Sequence, residues 1–123
     1  VDRLFFGLAC VSAGVAVALG AFAAHGLRNR LVPDMLSVFE IGVRYQMYHA
    51  LALLGVALAH ARWPTTAIAV AAWLFVAGTL VFSGSLYVMA VTGQRWLGAV
   101  TPFGGAAFIA GWIALAWGVW TRP

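Results

Sequence analysis

Four long apolar stretches separated by short polar connections fill almost the entire chain. Residues 4–24 carry no charge over 21 positions, enough for one helix across a hydrocarbon core of about 30 Å. A second stretch covers 39–59, a third 67–91, and a fourth 102–120. The pattern predicts an all-α fold, a four-helix bundle integral to the membrane. A short, loosely amphipathic segment precedes the second span, because Met35, Leu36, Val38 and Phe39 alternate with Ser37 and Glu40; it is expected to lie in the interface. No duplication or low-complexity segment interrupts the pattern, so residues 1–123 are read as a single transmembrane domain.

The boundaries follow from local chemistry. Gly26 is able to adopt the left-handed conformation that ends helices, so His25-Gly26 is expected to terminate the first span, with His25 as a polar residue at its end. Asp34, after Pro33, suits a helix start, where a carboxylate meets free amide groups. Trp96–Val100 is expected to form a short apolar connection. Thr101 and Pro102 then fit the N-cap and first position of the last helix. Within the first span Gly7, Gly14 and Ala21 recur every seven residues, while Gly20 belongs to a small-residue series with Ala16 and Ala24. Gly104, Gly111 and Gly118 show the same spacing in the last. Small residues let backbones approach closely in lipid, so these two helices are expected to pack on each other through their stripes. Gly84 is expected to mark another close approach.

Composition strengthens the membrane reading. The chain is 64% hydrophobic and 8% charged, against roughly 25% charged residues in soluble domains. Lysine is absent, and the seven cations are arginines at 3, 28, 30, 44, 62, 95 and 122. They form no basic face for nucleic acid and sit where phosphate headgroups are found. Four spans put both termini on one side, with Arg3, Arg62 and Arg122, opposite Arg28, Arg30, Arg95 and Arg44; by this count the termini lean to the outside. Trp63, Trp117 and Trp120 with Phe5 and Phe6 suggest an aromatic belt at the terminal side. The first apolar run is longer than the roughly 7–15 residues of a signal-peptide core and is read as a permanent span. The single Cys10 is expected to be a buried, inert thiol.

Most of the polar chemistry lies in Glu40–His49, which runs directly into the apolar half of the second span. Glu40 and Arg44 stand four apart in the order that favours a helical ion pair. Tyr45 and Gln46 share a face with His49, which falls near mid-membrane. Polar groups at that depth need partners, and Ser83, Ser85 and Tyr87 on the third span are the expected ones. These eight residues form a candidate polar seam joining helices two and three. No catalytic constellation, metal site or cofactor site is expected. A haem between His25 and His49 would need the two at matched depth, and they are not.

Several segments carry a more specific likeness: Gly20–Gly26, Tyr45–Leu54, Phe82–Tyr87 with Thr92-Gly93, and Leu97–Gly105 with Gly111-Trp112. In this order they resemble the YgdD/YwdK-like family, small bacterial inner-membrane proteins of uncharacterised function with a small transmembrane relative in animals. Ala23 departs from the glycine expected in many members. The resemblance implies a four-helix protein of the bacterial inner membrane and supplies no reaction, ligand or site residue. Two functions are therefore weighed. One is a structural or accessory subunit, not an enzyme, acting by helix association in the lipid bilayer as a homo-oligomer or part of a larger complex. The other is an oligomeric channel or transporter for protons or a small solute past Glu40, Arg44, Gln46 and His49.

Overall fold

A computed structural model describes residues 1–121; Arg122, counted above among the terminal-side charges, lies outside the described residues. Every regular element among them is helical. Helix α1 spans Asp2–Phe22 and continues through a π-helical turn, Ala23–Leu27. Helix α2 spans Pro33–Arg62, about 45 Å by helix rise. Helix α3, Thr66–Gly78, passes through a second π-helical turn, Thr79–Ser83, into α4, Gly84–Thr92. A 3-10 helix, Arg95–Ala99, leads into α5, Thr101–Trp120. Three of the resulting rods are long and apolar enough to cross a membrane: Asp2–Leu27, Thr66–Thr92 and Arg95–Trp120.

The helix ends differ from expectation in ways the chain explains. Gly26 ends nothing: the backbone stays right-handed through Arg28, and the glycine sits against the Phe22 ring instead. The left-handed cap occurs at Gly93, φ 76°, whose amide donates to the Met89 carbonyl. Pro33 opens α2 from an extended Val32, as a proline without a donor amide can. The segment before the second span is not a separate interfacial element, for α2 is continuous and its first turns bury Met35 against Leu86 and Met89. Thr65 caps α3 by accepting from the Ile68 amide at 3.2 Å. Thr101 does not act as an N-cap for α5; its hydroxyl donates to the Leu97 carbonyl at 3.3 Å.

Helix α2 is the centre of the arrangement. It packs against α1 on one side and α3–α4 on another, while α5 packs chiefly on α3. Neighbours run antiparallel: Phe5 of α1 meets His60 of α2, Ser83 meets Gly42, and Gly104 meets Phe82. Apolar clusters fill both ends. One gathers Phe5, Leu53, Val56, Ile68, Phe75 and Phe108; at the opposite end Ala23, Leu27, Phe39 and Ala90 form a second, and Met35, Leu86 and Met89 a third. The buried polar residues of α2, Gln46 and His49, lie between them.

The glycine stripes therefore meet different fates. A side-chain carbon at Gly104 would run into the Phe82 amide nitrogen; at Gly111 it would strike Phe75, and at Gly118 Ile68. Gly111 and Gly118 bring α5 onto α3 and Gly104 brings it onto the π-helical turn that follows, not onto α1. Gly7 and Gly14 have no atom within 4 Å of such a carbon, and Gly20 has only Val43, at 3.4 Å. The expected pairing of the first and last helices is thus replaced by α1 on α2 and α5 on α3. Gly84 is also open, with nothing within 4 Å.

Candidate functional site

Gly42 and Ser83 begin the polar region. The lack of a side chain at Gly42 lets Tyr87 pass close to α2: a carbon there would lie 2.8 Å from the Tyr87 ring. The π-helical turn before α4 inserts an extra residue into the helical ladder. At its end Ser83, fully buried, donates to the Gly42 carbonyl at 2.7 Å. Tyr87, one turn later, donates to Gln46 Oε1 at 2.6 Å. Gln46 in turn donates from Nε2 to the Ser12 carbonyl of α1 at 3.0 Å. One side chain of α2 thus clasps both of its flanking helices.

His49, 6% exposed, lies one turn deeper and faces α5. Its Nδ1 lies 2.8 Å from the Tyr45 carbonyl, and the Trp112 indole N–H donates to Nε2 at 3.2 Å. A carbonyl only accepts and an indole only donates, so these partners select the uncharged imidazole with its proton on Nδ1. The ring stacks on Phe108, centroids 3.5 Å apart and planes 5° off parallel. Ser85 bonds away from α2, sharing a 2.6 Å contact with Thr101 and donating to the Phe82 carbonyl. It ties α4 to the start of α5.

The seam drawn from the sequence is thus divided by the structure. Gln46, Ser83 and Tyr87 come together between α2 and α4; His49 turns to α5, and Ser85 to Thr101. Tyr45 is 40% exposed and lies against Phe82, offering its backbone carbonyl to the seam. Glu40 and Arg44 are exposed, and among the described residues no ion pair joins them. Spacing four apart permits such a pair without supplying the burial that would hold it. His25 is exposed on the π-helical turn after α1. Cys10 is exposed as well, contrary to the expected buried thiol, because it lies on the face of α1 away from α2. Phe5, read as part of a belt, is fully buried against Trp73.

Five partners were not read as such from the sequence. The Ser12 contribution is a backbone carbonyl, which any residue supplies. Thr101 was read as a cap. Trp112 was visible only as part of a family motif. Asp2 and His60 are 58 residues apart, yet His60 Nδ1 meets Asp2 Oδ1 at 2.5 Å and joins the outer ends of α1 and α2. Among the described residues no three His, Cys, Asp or Glu side chains gather as a metal site would require.

Beside the clasp lies a groove of about 400 Å³ between α1 and α3–α4, floored by α2. Val11, Val15 and Leu80 on its rim are 65%, 45% and 71% exposed, so it opens on the outer surface of the helices. Its lining is mostly apolar, with Ser12, Gln46, His49, Thr79 and Tyr87 the polar residues along it.

The sequence comparisons now bear on this architecture. Residues 19–105 match the family described as protein of unknown function DUF423, a span that contains the whole Gln46–Ser83–Tyr87 clasp. The UPF0382 membrane protein YwdK of Bacillus subtilis is 46% identical over 92% of this chain and 93% of its own. A UPF0382 membrane protein of Haemophilus influenzae is 44% identical over 93% and 91%, and one of Staphylococcus saprophyticus is 46% identical over 94% and 96%. No solved structure matches. With its long apolar helices and this end-to-end similarity, the chain belongs to the DUF423 family of YwdK-like membrane proteins, whose function is uncharacterised.

Proposed function

We propose that this protein crosses the bacterial inner membrane four times, with α2 as the fourth span, and works as a structural or accessory subunit through helix association. The observation that carries the reading is the use made of the polar groups in α2. Gln46 and His49 bond to other helices, as do Ser83 and Ser85 opposite them, and no buried side-chain polar atom among the described residues lacks a partner. Interhelical bonding of this kind is how polar residues hold membrane bundles together. An oligomeric channel or transporter needs such groups free to meet a solute, which favours the structural reading.

The outer face of α1 supplies a surface for association. Gly7, Cys10 and Gly14 are exposed there, and nothing within the protein approaches the two glycines. Another transmembrane helix, from a second copy or a different subunit, would pack closely on it. Arg28, Arg30 and Arg95 oppose Arg3 and Arg62 across the four spans; this distribution supports the termini lying outside.

Extraction in mild detergent tests the proposal through the mass of the protein particle. The expected result is an assembly heavier than the single 13.0 kDa chain, split by Gly14→Leu without loss of the monomer's fold. A particle that remains one chain, free of other subunits, from native membranes under every mild condition contradicts it.

A further inference from the structure

The groove between α1 and α3–α4 has features that interhelical cohesion does not require. It opens at Val11, Val15 and Leu80 to the outer surface of an apolar helix pair, and no charged side chain lines it. Its volume, about 400 Å³, falls in the roughly 300–1,000 Å³ range of small-molecule sites. Gly84 contributes to its wall and leaves open space where any other residue would project.

Residues able to hydrogen-bond gather at one place along its lining. Gln46 uses one amide hydrogen on Ser12 and retains the other. The Tyr87 oxygen donates to Gln46 and keeps its lone pairs. Thr79, on the π-helical turn, is another lining residue that carries a hydroxyl. These atoms sit near the middle of α2, some 13 residues from Pro33, or about 20 Å along the helix. A phospholipid headgroup stays at the bilayer surface, far from such a floor. A neutral molecule with a long hydrocarbon body is able to bring a polar atom to that depth, where an unmet polar group is unfavourable.

We propose that this groove binds a neutral, long-chain lipid bearing one carbonyl or hydroxyl group. The chain lies along Val11, Val15 and Leu80, and the oxygen meets Thr79 and the second Gln46 amide hydrogen. This goes beyond the role proposed above and does not depend on oligomerisation. The absence of a lining charge disfavours fatty-acid anions and cationic amphiphiles, and the lipid-facing opening lets the ligand enter sideways from the bilayer.

Photolabelling in lipid nanodiscs provides the test. A long-chain methyl ketone carrying a diazirine is photolysed with the full-length protein, and the labelled peptides are mapped by mass spectrometry. Labelling is expected to concentrate on the groove faces of α1 and α3–α4. Excess unlabelled methyl ketone should compete, while an alkane of equal length should compete about three- to tenfold less well, the range of one neutral hydrogen bond. Gly84→Leu fills the groove from a position with free space and a favourable helix propensity; it should abolish the concentrated labelling while the protein remains folded by circular dichroism. Thr79→Val should reduce the advantage of the ketone over the alkane, leaving the share that Gln46 supplies. Labelling spread evenly over the outer helix faces, unchanged labelling in Gly84→Leu, or equal competition by the alkane would overturn the proposal.

Discussion

Two glycine series with the same seven-residue spacing end up in opposite environments. Gly104, Gly111 and Gly118 on α5 are pressed against α3 and the π-helical turn that follows it so closely that no side chain fits. Gly7 and Gly14 on α1 meet nothing inside the protein. The first interface is held by shape: flat glycine faces let Phe75, Phe82 and Ile68 reach the α5 backbone, where dispersion takes over from the hydrophobic effect that lipid removes. Helix α1 is held differently, by Gln46 bonding to its backbone and by Phe5 and Ala9 in the core. Spacing alone identifies a flat face, and the partner depends on what the rest of the chain brings to it.

The strongest break in this comparison is expected at Gly104→Ala. The added carbon would overlap the Phe82 backbone, which has no rotamer to yield, so α5 must move away from α3; a loss of about 1–3 kcal/mol or more is expected for such overpacking, read by unfolding in mixed micelles. Next comes Gln46→Leu, which removes the clasp and leaves the Tyr87 hydroxyl without its acceptor. A loss of about 1–2 kcal/mol follows from two interhelical bonds in a membrane protein, and proteolysis or hydrogen exchange should locate the loosening at α1 and α4 rather than at α5. Gly20→Ala should change stability by less than about 0.5 kcal/mol, since Val43 lies at ordinary contact distance and surface-like changes stay in that range. At the far end Gly14→Ala should be neutral or stabilise the monomer slightly, by up to about 1 kcal/mol of helix propensity. If Gly14→Ala destabilises the isolated chain as much as Gly104→Ala, the distinction between the stripes is wrong.

The all-helical class and the apolar rods were legible because charge-free runs of 20 residues or more have few alternatives. The location of the polar region in α2 was legible too, since Gln46 and His49 stand out in an apolar chain. Their partners were much harder to read. In water a helix shows its buried face by apolar periodicity; in an apolar helix that faces lipid, both faces are apolar and that signal fades. Hence Cys10 and Gly84 were assigned to contacts they do not make, and the α1 stripe to a helix other than α2, on which α1 packs. Glu40 and Arg44 satisfied the spacing rule for an ion pair, but spacing permits a pair without supplying the burial that would hold it. Gly26 could have ended a helix; the intervening π-helical turn instead carries the chain on to Leu27, where Ala23 and Leu27 join Phe39 and Ala90.

The central claim is that the polar residues of α2 join helices and carry nothing across the membrane. The most direct measurement is proton flux into sealed vesicles reconstituted with the protein and driven by a pH gradient, compared between the unaltered chain and His49→Leu. The account predicts the same slow leak in both as in protein-free vesicles. A flux well above that leak, abolished by His49→Leu in a protein that still folds, would contradict it.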